Sequence, residues 1–127
     1  MGLFPLGVRL KLTRCKVTSK YHSTPTVIDG IRFDSKAEAE RYQELRLLER
    51  SGEIADLQCH PRFLLQDAFI YDGKRERAIY YEADFSFTDH ENIYVEDVKG
   101  VKTEVYKLKR KLFIKKYPNI IFREIGA

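Results

Sequence analysis

Cysteine is scarce in this chain. Cys15 and Cys59 are the only two in 127 residues, which excludes a disulfide framework and any CxxC redox or zinc pair. There are three histidines, His22, His60 and His90. Cys59-His60 has no second pair to complete a four-ligand zinc site. No apolar run approaches the roughly 18 residues of a membrane span. The opening MGLFPLGVRLKL is short, and neither a long apolar core nor a small-residue cleavage site follows it. Secretion is therefore not expected; a cytoplasmic setting without a membrane partner is. The seven glycines nowhere gather into a phosphate-binding loop, and Gly100-Val101-Lys102 is too short a fragment to be one. Zinc-finger and helix-turn-helix signatures, internal repeats and low-complexity tracts are all missing.

What is present is an ordinary globular composition, 43% hydrophobic and 33% charged, in a chain whose length suits one domain. The net charge of +4 says less than its placement. Arg9, Lys11, Arg14, Lys16 and Lys20 all precede the first acid, Asp29, and the segment from Lys99 to Lys116 holds eight basic residues against Glu104 alone. Two basic zones on a near-neutral body suit an anionic partner touched at selected places; lysine-rich solvated surfaces give the same pattern.

Residues 1–27 show no strong period and read as a basic N-terminal arm, with a short strand near Val8–Leu12, ahead of a domain over 28–127. Asp29-Gly30 marks a tight turn. A helix is expected from Ser35 to Ser51, capped by Ser35, with Ala37, Tyr42, Leu45 and Leu48 near one face and Gly52 beyond its end. Ile54–Gln58 reads as extended. Phe63–Phe69 and Arg77–Phe87 are strand candidates joined through Tyr71-Asp72-Gly73-Lys74, and Ile93–Lys99 is a third strand after a turn at Asp89–Asn92. A second helix over Thr103–Tyr117, with Val105, Leu108 and Leu112 as its buried face, precedes a last strand, Ile120–Ile125. This order predicts an α/β fold with a central mixed sheet flanked by helices, the last strand lying parallel to Ile93–Lys99.

The chemistry concentrates in YYEADFSF (80–87) and IYVEDVKG (93–100). Side chains two apart on a strand share a face, so Asp97 and Lys99 point the same way, and Asp84 is expected to share a face with Glu82 and Ser86. Phosphodiester hydrolysis brings water to a phosphorus shielded by negative oxygens. A divalent cation helps by acidifying water, neutralising charge and orienting the phosphate. Asp84 and Asp97, with the Val98 carbonyl, form a hard oxygen set of the kind Mg²⁺ takes, and Lys99 beside them suits charge stabilisation. An exposed sheet face carrying Asp97 and Lys99 as a surface ion pair is the structural alternative. Glu38 also has two roles open to it. Three residues after Ser35, it fits a capping box; as a third carboxylate it would reach the water from the helix's first turn.

In this order and spacing, Glu38 after FDSK, Asp84 in EADF, and Asp97 and Lys99 in VEDVKG resemble the PD-(D/E)XK, or restriction-endonuclease-like, nuclease superfamily. The run from Gly30 to Ile125 is closer still to small phage and prophage proteins described as similar to Holliday-junction resolvases and endonuclease I-type enzymes. The resemblance implies a restriction-endonuclease-like core, Mg²⁺ or Mn²⁺ as cofactor, DNA as substrate (branched DNA such as Holliday junctions included), a homodimer, and the host cytoplasm if the chain is phage-encoded. It assigns Asp84 to the first aspartate position, Asp97-Val98-Lys99 to the D/E-x-K element and Glu38 to the first-helix glutamate. Ala83 stands where the superfamily often has proline.

On the second helix Lys107, Lys111 and Lys115 recur at i+4 as one stripe, flanked by Arg110, and are expected to contact the DNA backbone. Arg9, Lys11, Arg14 and Lys16 are candidate DNA contacts on the arm, which equally suits a swapped dimer element or disorder. A non-catalytic DNA-binding or phage-assembly module on the same scaffold is the alternative to an endonuclease.

Overall fold

The computed structural model describes residues 25–126 and the backbone of one short strand before them, β1 (Lys11–Leu12). Two hairpins follow from Asp-Gly pairs. β2 (Thr26–Ile28) and β3 (Ile31–Phe33) pair around Asp29 and Gly30, both at positive φ, as a type I′ turn requires. Asp72 and Gly73 do the same between β6 (Phe69–Tyr71) and β7 (Lys74–Glu76).

Helix α1 (Lys36–Arg50) starts at Ser35, whose Oγ accepts from the Glu38 N–H at 3.2 Å. It buries Ala39, Tyr42 and Leu45, while Ala37 and Leu48 pack at the margin. Strands β4 (Ala55–Cys59), β9 (Phe85–Thr88), β10 (Ile93–Lys99) and β11 (Ile120–Gly126) form the central sheet in the order β11-β10-β9-β4. β10 runs parallel to β11 and antiparallel to β9, so the sheet is mixed. Its parallel pair is joined through α2 (Glu104–Lys116). β5 (Pro61–Gln66) and β8 (Ile79–Glu82) form a second sheet with β1, in the order β1-β5-β8. The result is an α/β fold with a central mixed sheet flanked by α1 and α2, a restriction-endonuclease-like core architecture. None of the helices among the described residues is long and apolar enough to cross a membrane.

Two cores result. One, under α1, holds Phe33, Tyr42, Leu45, Phe85, Phe87 and Val98; the other, under α2, holds Phe63, Tyr81, Val95, Phe113, Tyr117 and Ile120. Strand alternation feeds both. Val98 joins the first core and Val95 the second, from opposite faces of β10. Complete burial of Phe33, Phe63, Phe85 and Phe113 contributes about 1.5–3 kcal/mol each before entropy is subtracted.

Two expectations need correction. The stretch Arg77–Phe87 is not one strand: it breaks at Ala83-Asp84 into β8 and β9, which belong to different sheets. Asp84 therefore does not sit in a strand row with Glu82 and Ser86. The buried face of α2 is also different. Val105, Leu108 and Leu112 are exposed (63%, 59% and 43%), and Tyr106 and Phe113 point inward instead. Aromatic side chains bury more area than aliphatic ones. Here Phe113 packs against Phe63, Tyr81 and Phe122 with ring centroids 4.9–5.9 Å apart, which fixes the helix's rotation about its axis.

Candidate metal centre

The break at Ala83-Asp84 faces a matching break in the partner ribbon. β4 continues into β5 through His60, which has a φ of +56° directly before Pro61. That conformation is strained for a non-glycine residue, and a following proline favours extended backbone. Backbone hydrogen bonds hold the double kink. The His60 N–H donates to the Asp84 carbonyl at 2.9 Å, and the Ala83 N–H donates to the Pro61 carbonyl at 3.0 Å. One antiparallel ribbon thus runs through both sheets, bent where His60 meets Asp84. Irregularities of this kind re-aim side chains.

Asp84 is aimed at β10. The β9–β10 ladder ends at Phe85 opposite Glu96. The Asp84 N–H still donates to the Glu96 carbonyl at 3.2 Å; beyond that the regular pairing stops, and Asp84 Oδ2 accepts from the Val98 N–H at 2.6 Å in the fork so formed. The carboxyl also meets those of Asp97 and Glu38. Burial, then the Asp97 charge, then the Glu38 charge push its pKa well above the usual carboxylate range. Asp97 is buried, and its Oδ2 accepts a short hydrogen bond from the Tyr81 hydroxyl. Lys99 Nζ lies 3.0 Å from Asp97 Oδ1 and 4.6 Å from the Tyr106 ring centroid. Burial alone would lower the Lys99 pKa, but Asp97, then Asp84 and Glu38, outweigh it and raise it. Burial and the Asp97 charge hold the Tyr81 hydroxyl protonated, far above its usual range.

Glu38 enters from α1. Its N–H is capped by Ser35, yet its Oε2 is buried with no hydrogen-bond partner. That oxygen lies 4.0 Å from His60 Nε2. One ligand atom each from Glu38, His60 and Asp84 fall within 4.8 Å of one another. Ligands at about 2.1 Å from a shared ion lie at most about 4.2 Å apart, so a small closing movement completes the set. The donor chemistry fits as well. Glu38, Asp84 and Asp97 crowd three carboxyls together with, among the described residues, one lysine ammonium in ion-pair reach, so full ionisation leaves an excess of negative charge that a divalent cation balances. The neighbouring acid Glu96 is already neutralised: it accepts from Arg41 Nε at 2.8 Å and Nη2 at 2.7 Å, with Arg123 at 3.4 Å. A cluster of Glu38, His60 and Asp84 able to chelate a divalent metal is thus built into the fold.

The structure brings Glu38, Asp84, Asp97 and Lys99 together at one end of β10. It adds His60, whose sequence setting beside Cys59 gave no hint of the positive φ that turns it toward Glu38. The stripe residues Lys107, Lys111 and Lys115 are exposed on α2, with Lys107 3.3 Å from Glu104. Arg110 is less free, 3.5 Å from Glu124 and over the Phe122 ring. Arg9, Arg14 and Lys16 lie outside the described residues. So does the Lys11 side chain, although the Lys11 backbone pairs with Arg62 in β1.

A family model described as a protein of unknown function, DUF1064, matches residues 18–125. No curated protein and no solved structure matches the chain.

Proposed function

This chain belongs to the DUF1064 family, and we propose that it is a divalent-metal-dependent endonuclease hydrolysing DNA phosphodiester bonds, with branched DNA such as four-way junctions as the substrate to test first. The observation that carries this is the Asp84 carboxyl, enclosed with those of Asp97 and Glu38 and opposed, among the described residues, by the ammonium of Lys99.

Asp84, Asp97 and the Val98 carbonyl would hold the ion, with Glu38 and His60 completing the shell. A strand residue directs its N–H and C=O to the same side. The Val98 N–H points at Asp84, so its carbonyl opens into the same fork. The bound ion supplies Lewis-acid polarisation of the phosphate and a lowered pKa for an attacking water. Glu38, which would reach the ion through that water, offers Oε2, buried without a hydrogen-bond partner and 4.0 Å from His60 Nε2, as its proton acceptor. Lys99, held by Asp97 and the Tyr106 ring, offsets charge developing on the phosphate. Tyr81 fixes the Asp97 rotamer through its hydrogen bond. Lys107, Lys111 and Lys115 would meet the backbone near the scissile bond, and a second copy of the chain would cut the opposing strand. An imidazole among the ligands favours Mn²⁺ over Mg²⁺ relative to an all-oxygen site.

The test is incubation with supercoiled, linear and four-way-junction DNA under Mg²⁺, Mn²⁺ or chelator. Wild type is expected to cut only with metal, faster in Mn²⁺. Asp97→Asn and Lys99→Ala are expected to lose at least about a hundredfold in rate while still binding DNA. Wild type leaving every substrate intact across metals and pH overturns the enzymatic reading and leaves a binding module.

A further inference from the structure

The β6–β7 hairpin carries basic residues that the metal centre does not use. In its ladder Ile70 lies opposite Arg75, and Tyr71 opposite Lys74. Opposed residues share a face and neighbours alternate. Within the strand, Arg75 therefore projects to one side and Lys74 and Glu76 to the other. Arg75 and Arg77 line an open concavity of about 570 Å³ together with Arg62, Ala78 and Tyr80. The Arg62 guanidinium stands 4.3 Å from the centroid of the Tyr80 ring. Neither Arg75 nor Arg77 has a carboxylate partner among the described residues. Glu82, opposite Arg62 in the β5–β8 ladder, is not among the lining residues.

The concavity does not end there. Arg62, Ala78, Ile79 and Tyr80 also line a second hollow of about 440 Å³, whose other lining residues, Val105, Leu108, Lys109 and Leu112, come from α2. This is the aliphatic row that α2 leaves outside. One groove thus joins an arginine pole to an apolar pole along β8. It lies close to the metal centre in chain terms. Arg62 is two residues beyond His60, roughly 7 Å along an extended strand, and Tyr80 adjoins Tyr81, the residue that holds Asp97.

We propose that this groove binds an unpaired nucleic-acid strand, with its phosphates on Arg62, Arg75 and Arg77 and its bases against Tyr80, Ile79, Leu108 and Leu112. The partner's identity rests on the nucleic-acid reading above; the choice of an unpaired strand rests on the groove. A duplex presents phosphates and sugars but keeps its base faces stacked inside. An unpaired strand offers anionic and apolar surface side by side. Guanidinium forks suit phosphate oxygens. None of Lys107, Lys111 and Lys115 is among the groove's lining residues.

The experiment measures binding in chelator, so that cutting plays no part. A fluorescein-labelled oligothymidylate of about 15 nucleotides and a blunt duplex are titrated against the full chain at several salt concentrations. Arg75→Glu and Arg77→Glu are each expected to weaken single-strand binding about tenfold or more. Together they should reduce the slope of log affinity against log salt by roughly 1.4, two contacts at about 0.7 each. Lys74→Glu, the same charge change on the hairpin's other face, should stay within about twofold of wild type. Leu108→Ala should weaken the single strand and spare the duplex. Unchanged binding by both arginine variants, an equal loss in Lys74→Glu, equal dependence for blunt duplex, or full competition by an acidic peptide of matched charge each overturns the proposal. The two readings fail separately. Arginine-dependent strand binding by a protein that never cuts sinks only the nuclease. Metal-dependent cutting with unaltered strand binding in Arg75→Glu and Arg77→Glu sinks only the groove.

Discussion

Replacing Asp84 with asparagine removes a charge that the fold holds against its preference. Burial and two neighbouring carboxyls raise the pKa of Asp84 above its unfolded value. A raised acid contributes stability that is fully present below the unfolded pKa and is lost as pH rises through the folded one. At neutral pH the metal-free protein therefore carries the penalty. Asp84→Asn should be more stable than wild type there, with a denaturant midpoint shifted upward, since the amide oxygen still accepts from Val98. The gain should shrink as pH falls, because folded wild type takes up the proton before the unfolded chain does, and vanish at about 4, the unfolded aspartate range, where both states hold it. Denaturant midpoints of the two metal-free proteins across that pH range check this; no gain at pH 7.5 would contradict it. The same variant should lose metal binding, so its stability and its function move in opposite directions.

At the scale of elements, the two sides of α2 make unequal contributions. Phe113→Ala opens a hole among Phe63, Tyr81 and Phe122 and should cost about 3–5 kcal/mol. Leu108→Ala, at 59% exposure, should change stability by less than about 0.5 kcal/mol. Thermal melts of both variants decide which face is core. The sequence alone pointed to the wrong one. Val105-Leu108-Leu112 and Tyr106-Phe113-Tyr117 are both spaced for a helical stripe, and periodicity cannot choose between two apolar stripes. Ring size and the aromatic box on the sheet decided. Local chemistry was more legible. Ser35 capping, the two Asp-Gly turns and the parallel pairing of Ile93–Lys99 with the last strand all follow from short-range rules. Asp97 and Lys99 followed from strand alternation. The break at Ala83-Asp84 did not, because Tyr80 to Phe87 is uniformly apolar and aromatic apart from its acids and serine. What bends the ribbon is its pairing with the strand carrying His60, some twenty residues away in the chain. His60 was invisible as a ligand for the same reason.

Across the whole molecule, the carboxyl cluster sits where the two cores meet. Glu38 comes from the helix over one core, and Asp97 faces Tyr81 and Tyr106 in the other. An ion held there touches elements of both, and binding to the folded state alone stabilises it by about 2.7 kcal/mol at a hundredfold excess over Kd. Mn²⁺ or Mg²⁺ should therefore raise the melting temperature of wild type in one cooperative transition, with no shift in Asp84→Asn. A metal-induced shift of equal size in that variant would place the ion elsewhere.

The doubly kinked ribbon has a further consequence. Because one continuous pair of strands serves both sheets and Asp84 stands at its bend, that carboxyl is tied to both layers at once. It acts as a rivet through two plates: a substitution that shifts either aromatic core should displace Asp84 from Glu38, read as weaker metal binding with no ligand replaced.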